Sequence, residues 1–231
     1  MALLKVLLLL ELGVAVNSVS LQKRIIGGQT CRDDERQYHV NIFRSNGKKH
    51  YMCGGSLISD QWVLTATHCW ESDRGWVNEV HVGVHPKTAA KMTYTITQHK
   101  IYRDCNGREH EIMLLKLSEK TTIRPIKLPD CPDTLLLGTK VQIAGYGPTR
   151  VGIFNSRIIH LSDDLQCAEL KIDKNDKMEE GDSGGGWVFR NRLYGVHAFS
   201  GDSSYAHATP TGFMDVCAYK KWIDDTINPI I

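Results

Sequence analysis

Short stretches of alternating apolar and polar side chains recur along the chain, punctuated by glycine, asparagine and proline. His39-Val40-Asn41-Ile42-Phe43, Val80-His81-Val82 and Met92-Thr93-Tyr94-Thr95-Ile96 alternate with a period of two, as strands with one buried face do. Ile112-Met113-Leu114-Leu115-Lys116-Leu117 is almost continuously apolar and reads as a buried strand. Val141-Gln142-Ile143-Ala144, Gly186-Trp187-Val188-Phe189 and Leu193-Tyr194-Gly195-Val196 extend the series, and Asn46-Gly47 and Asn191 mark turns. Helical spacing is clear only near the C-terminus, where Val216, Tyr219, Trp222, Ile223 and Ile227 form an apolar stripe suited to core packing. Many short strands with turn punctuation predict an all-β chain, barrel or sandwich, with one C-terminal helix. There is no internal repeat and no low-complexity segment.

Length, charge and cysteines narrow this picture. Residues 1–18 read as a secretory signal: Lys5, the apolar Val6–Leu10, then the small Gly13, Ala15 and Ser18. The apolar stretch is too short to span a bilayer and Glu11 interrupts it. Removing residues 1–24 leaves 207 of the 231, enough for one domain of two packed subdomains. Setting aside Lys5, Lys23, Arg24 and Glu11 leaves 25 basic and 25 acidic residues, so no basic excess draws the chain to nucleic acid or to an acidic membrane. Seven cysteines behind a signal segment point to disulfides, and the absence of any Cys-x-x-Cys pair argues against a zinc site.

Candidate chemistry centres on Gly181-Asp182-Ser183-Gly184-Gly185. A serine between glycines can sit on a tight turn with its hydroxyl bare, while neighbouring N–H groups approach a substrate carbonyl. A glycine-rich turn with a capping aspartate fits the same five residues. Trp62-Val63-Leu64-Thr65-Ala66-Thr67-His68-Cys69, Cys53-Gly54-Gly55-Ser56-Leu57-Ile58 and Lys23-Arg24-Ile25-Ile26-Gly27-Gly28 accompany it in fixed order. Together these motifs resemble the trypsin-like serine proteases of the chymotrypsin fold, from Lys23 to about Ile227.

The resemblance implies two antiparallel six-stranded β-barrels with a C-terminal helix, and a division into signal peptide 1–18, activation peptide 19–24 and protease domain 25–231. It implies Ser183 as nucleophile, His68 as proton shuttle and Glu111, where the family carries aspartate, as the group orienting His68. The extra methylene predicts impaired activity, since a misplacement of about 1 Å can cost on the order of a hundredfold in rate. Gly181 and Ser183 would supply the oxyanion hole. Cleavage after Arg24 would free the amine of Ile25 to pair with Asp182. The implied disulfides are Cys31–Cys167, Cys53–Cys69 and Cys131–Cys217, leaving Cys105 over. Lys177, Ala198 and Ser200 take the positions of the specificity pocket.

Two departures from the family matter. Only 16 positions separate Cys167 from Ser183, and the intervening run from Glu169 to Glu180 is mostly charged and reads as a solvated loop. The second barrel is therefore expected to be incomplete. His81–Lys87 lacks acidic ligands, so no calcium site is expected, and neither metal nor cofactor is needed. The implied partners are a protein or peptide substrate, an activating protease and a protein inhibitor, with no nucleic acid or membrane, for a secreted, extracellular monomer. The alternatives are a protease homologue that binds proteins without cutting them and a shortened, poorly folding product.

Overall fold

Among the described residues, two antiparallel sheets and one C-terminal helix make up the fold. The structure is a computed structural model and describes residues 28–132, 135–147, 162–172, 183–199 and 212–229. The strands in chain order are β1 (Gln29–Thr30), β2 (His39–Ser45), β3 (His50–Leu57), β4 (Trp62–Thr65), β5 (Val77–Val82), β6 (Met92–Thr95) and β7 (Gln98–Arg103). They continue as β8 (Glu109–Lys116), β9 (Lys140–Gly145), β10 (Gln166–Lys171), β11 (Gly186–Phe189), β12 (Arg192–Phe199) and β13 (Gly212–Asp215), followed by α1 (Val216–Ile227).

The first sheet has seven strands in the order β6-β5-β2-β3-β4-β8-β7. Its two end strands are neighbours in sequence, joined only through Ile96 and Thr97. Three residue steps reach about 10 Å at most, so the two edges must lie side by side and the sheet curls back on itself. The expected barrel is there, with seven strands where six were anticipated, because the chain breaks at Ile96 to leave one edge and enter the other. Inside it the alternation of the sequence is realised: Val40, Ile42, Val80 and Val82 are buried.

Strand β8 has no exposed apolar face to spare. Ile112, Met113, Leu114 and Leu115 are all fully buried, and their cluster extends to Val196 of β12 and Val216, Tyr219 and Ile223 of α1. A strand covered on both faces needs a continuous apolar run, which is what the sequence presents. Burying each of these side chains stabilises the fold by about 1.5–3 kcal/mol. Helix α1 begins where Asp215 Oδ1 accepts from the Cys217 N–H at 2.9 Å, and its buried stripe is Val216, Tyr219 and Ile223.

The second sheet has six strands, ordered β1-β10-β9-β11-β12-β13. Among the described residues its edges are β1 and β13, so it forms an open half-barrel, as expected. One expectation needs correction. Glu169, Leu170 and Lys171 are not loop but the end of β10, paired with Gln142, Val141 and Lys140 of β9, and Ile172 behind them is buried. The charges sit on alternate, outward positions, where Glu169 pairs with Lys140 at 3.7 Å, while Ala168 and Ile172 pack inward with Val141, Ile143 and Trp187. The period of two, rather than the charge, was the informative signal. Residues 173–180 lie outside the described residues.

All three implied disulfides form, Cys31–Cys167, Cys53–Cys69 and Cys131–Cys217. Cys105 is a free, exposed thiol.

Candidate active site

His68 sits in a short 3-10 turn, Thr67–Cys69, just after β4. Several restraints hold that turn. The Cys53–Cys69 disulfide ties it to β3. Thr67 Oγ1 donates to the carbonyl of His110 at 2.7 Å, locking it to β8. Arg44 Nη1, from β2, donates to the His68 carbonyl at 2.8 Å.

Glu111 comes from β8 and meets the histidine directly. His68 Nδ1 lies 2.9 Å from Glu111 Oε2, and the His68 backbone N–H donates to the same oxygen at 3.3 Å. A carboxylate only accepts, so Nδ1 carries the proton and Nε2 keeps a lone pair that can take another. The extra methylene of glutamate does not prevent this contact. The pair is open to solvent: the His68 side chain is 37% exposed and that of Glu111 44%. At that exposure a charge pair contributes no more than about 1 kcal/mol. The backbone beneath Glu111 is steadied through its neighbour, since His110 Nδ1 lies 2.8 Å from the Tyr219 hydroxyl of α1.

Ser183 lies on a turn wedged between the two sheets. Its carbonyl accepts from the Gly54 N–H of β3 at 2.8 Å and lies 3.6 Å from Cys69 Sγ, next to His68 in the chain. On the other side the Gly184 N–H donates to the His197 carbonyl, and the His197 N–H donates to the Gly185 carbonyl, both at 2.9 Å. This close approach dictates glycine at 184. Its φ is +79°, and a Cβ there would fall 2.2 Å from Thr65 Oγ1 and 2.4 Å from the Gly54 carbonyl oxygen. Thr65 Oγ1 in turn donates to that Gly54 oxygen at 2.9 Å. His68, Glu111 and the Ser183 turn therefore converge from β4, β8 and the entry to β11.

Ala198 is buried in β12, beside the strand residue that clasps the Ser183 turn. Arg24, Ile25, Lys177, Gly181, Asp182 and Ser200 lie outside the described residues. Two groupings of metal-ligand type, Cys53-His68-Cys69 and Cys31-Glu35-Cys167, each contain a closed disulfide, which removes their sulfurs as ligands.

His197 belongs to this site and was not among the residues the sequence singled out. It is almost fully buried, and burial, followed by the charge of His68, pushes it down to about 4. It is therefore neutral at pH 7, a second imidazole within electrostatic range of His68. No spacing motif marks it; only the pairing of β12 with the Ser183 turn brings it there. Arg44, which braces the histidine turn, was equally silent in the sequence, while Thr65, which braces the serine turn, stands in the histidine motif but was given no role there.

Known proteins resemble the chain over most of its length. The Trypsin family model matches residues 25–223. Human serine protease 1 is 31% identical over 237 residues, covering 88% of this chain and 90% of that protein. Human granzyme M is 32% identical over 182 residues, covering 76% of this chain and 69% of its own. The solved structure of GrC superposes with a TM-score of 0.71 at 23% identity, covering 88% of this chain and 99% of that one.

Proposed function

The chain belongs to the trypsin family of serine proteases, and from that premise we propose that it is a secreted endopeptidase, made as a zymogen and working below the family's usual rate. The observation that carries this reading is the 2.9 Å contact of His68 Nδ1 with Glu111 Oε2, which leaves Nε2 as the base. The mechanism follows the family's serine–histidine–acid template. Ser183 Oγ attacks the scissile carbonyl while His68 Nε2 takes its proton. His68 then gives the proton to the leaving amine, and water hydrolyses the acyl-enzyme through the same base. Glu111 holds the Nδ1–H tautomer and stabilises the imidazolium. The N–H groups of Gly181 and Ser183 receive the negative charge that develops on the carbonyl oxygen.

Activation is by a protease that cuts after Arg24. The new amine of Ile25 pairs with Asp182 and orders the segment that precedes Ser183. Lys177, Ala198 and Ser200 take the positions of the substrate pocket, which the shortened segment before Ser183 leaves incomplete. The substrate is a protein or peptide, a protein inhibitor is a natural counterpart, and neither cofactor nor metal takes part.

A second reading is a homologue that binds proteins without cutting them. The exposure of both His68 and Glu111 favours it, since the corresponding acid of the template is buried. Hydrolysis of peptide esters with varied side chains, after cleavage at Arg24, separates the two readings. Turnover that falls to background in both Ser183→Ala and His68→Ala supports the enzyme. A folded, cleaved chain without turnover on any ester supports the binding module.

A further inference from the structure

A second concave site lies where the loop before β2, the segment connecting β8 to β9 and the β11–β12 turn come together. It encloses about 700 Å³, within the range of small-ligand pockets, and none of His68, Glu111 or Ser183 lines it. Its lining is strongly cationic, with Arg32, Arg36, Arg124, Lys127, Arg190 and Arg192 against two acids, Asp34 and Glu35. Both acids are engaged by Arg32, at 2.9 and 3.9 Å. Arg192 is met by Asp130 at 2.8 Å. Among the described residues no carboxylate pairs with the other four cations.

Arg36 is the most telling of them. It is 7% exposed, yet its guanidinium meets only neutral acceptors: Nη1 donates to the Tyr38 hydroxyl at 2.7 Å and Nη2 to Gln142 Oε1. Its Nε is buried, with no hydrogen-bond partner among the described residues. A guanidinium cannot shed its proton to escape burial, so the cavity floor carries a permanent, underpartnered positive charge. Arg190 and Asn191 form the two-residue hairpin turn between β11 and β12, which requires positive φ at both positions. Arg36, Arg190 and Asn191, with φ of 60°, 45° and 60°, are the non-glycine residues with positive φ among the described residues, and all three line this cavity. Arg36 alone of the three lies outside a hairpin turn, and left-handed backbone at arginine is unfavourable there.

We propose that this cavity is a binding site for a tetrahedral oxyanion, a sulfate ester of one negative charge or a phosphate monoester of up to two, on a small polar body. Arg36 lends its buried charge to the site, and the exposed Lys127 and Arg190 of the lining supply donors for charge-assisted hydrogen bonds to the anion. The site is separate from the hydrolytic one, so occupancy does not require turnover.

Calorimetric titration of the full chain tests this, with pyrophosphate and a sulfated disaccharide as the two probes, each at about 50 and 200 mM salt. One equivalent binds, more weakly at the higher salt as screening predicts, and affinity falls at least tenfold in Arg36→Gln. Because Arg36 is buried, the exposed pair Lys127→Ala/Arg190→Ala provides a second variant, which removes no buried side chain although it removes the guanidinium stacked over Phe189, and it too loses at least tenfold. Binding of the disaccharide alone assigns the anion to a sulfated glycan, binding of pyrophosphate alone to a phosphate ester, and binding of both to oxyanions at large; each supports the site. Failure of both probes to bind, or unchanged affinity in the Lys127→Ala/Arg190→Ala chain, overturns it.

Discussion

One hydrogen bond decides what His68 can do, and its partner is a glutamate on a half-exposed β8 end. Glu111→Gln keeps the length but removes the charge and turns an acceptor pair into one acceptor and one donor. The template loses about 10⁴-fold in kcat when its buried aspartate is neutralised. Here solvent screens the charge, so a fall of about 10–100-fold in ester turnover is expected, with KM nearly unchanged. A chain indifferent to Glu111→Gln would remove Glu111 from the mechanism. Gly184 is the other residue with no freedom. Gly184→Ala drives a Cβ into Thr65 and Gly54 from a left-handed backbone, and is expected to cost at least about 2 kcal/mol in a urea melt. Both positions were legible from the sequence, the glycine from its motif and the glutamate from its place ahead of an apolar strand. His197 was not, because a histidine inside an apolar strand carries no mark of what lies across the sheet interface.

At the level of elements, the two halves of the site are carried by segments whose stability differs in origin. The histidine turn is stapled by Cys53–Cys69, residues 16 apart, whereas Cys31–Cys167 joins residues 136 apart. Chain-entropy arguments give about 3 kcal/mol for the short loop and somewhat more for the long one. Cys31→Ser/Cys167→Ser is therefore expected to destabilise the fold more, and Cys53→Ser/Cys69→Ser to reduce turnover more, because only the latter loosens the turn that holds His68. Equal ratios of lost turnover to lost stability in the two variants would contradict this division. Strands with clean alternation or unbroken apolar runs, such as β2, β5 and β8, could be read from the chain. Strand β10 could not, because Glu169 and Lys171 on its outward face mimic a loop unless their spacing is weighed against Ala168 and Ile172. The cationic cavity was hidden for a different reason: its arginines come from three distant segments and meet only after both sheets form.

For the molecule as a whole, two buried histidines tie stability to pH. Burial pushes His39 and His197 down to about 4 from an ordinary 6.5. Between these values the unfolded chain binds protons that the folded one refuses. Their contribution is thus complete above about pH 6.5 and is lost as the pH falls toward 4, each adding up to ~1.4 kcal/mol per pH unit to the slope. Urea melts across that range should show the loss, and His39→Gln should make it shallower by about one proton; an unchanged slope would mean that His39 does not titrate as its burial requires. The half-open second sheet and the exposed His68–Glu111 pair leave one question above the others, whether Ser183 is chemically armed. Treating the chain, cleaved after Arg24, with a serine-directed phosphonate and locating the adduct by mass spectrometry answers it. The account predicts a single adduct at Ser183 that forms with intact His68 and is abolished by His68→Ala. A folded, cleaved chain that stays unlabelled, or that labels equally well without His68, would contradict it.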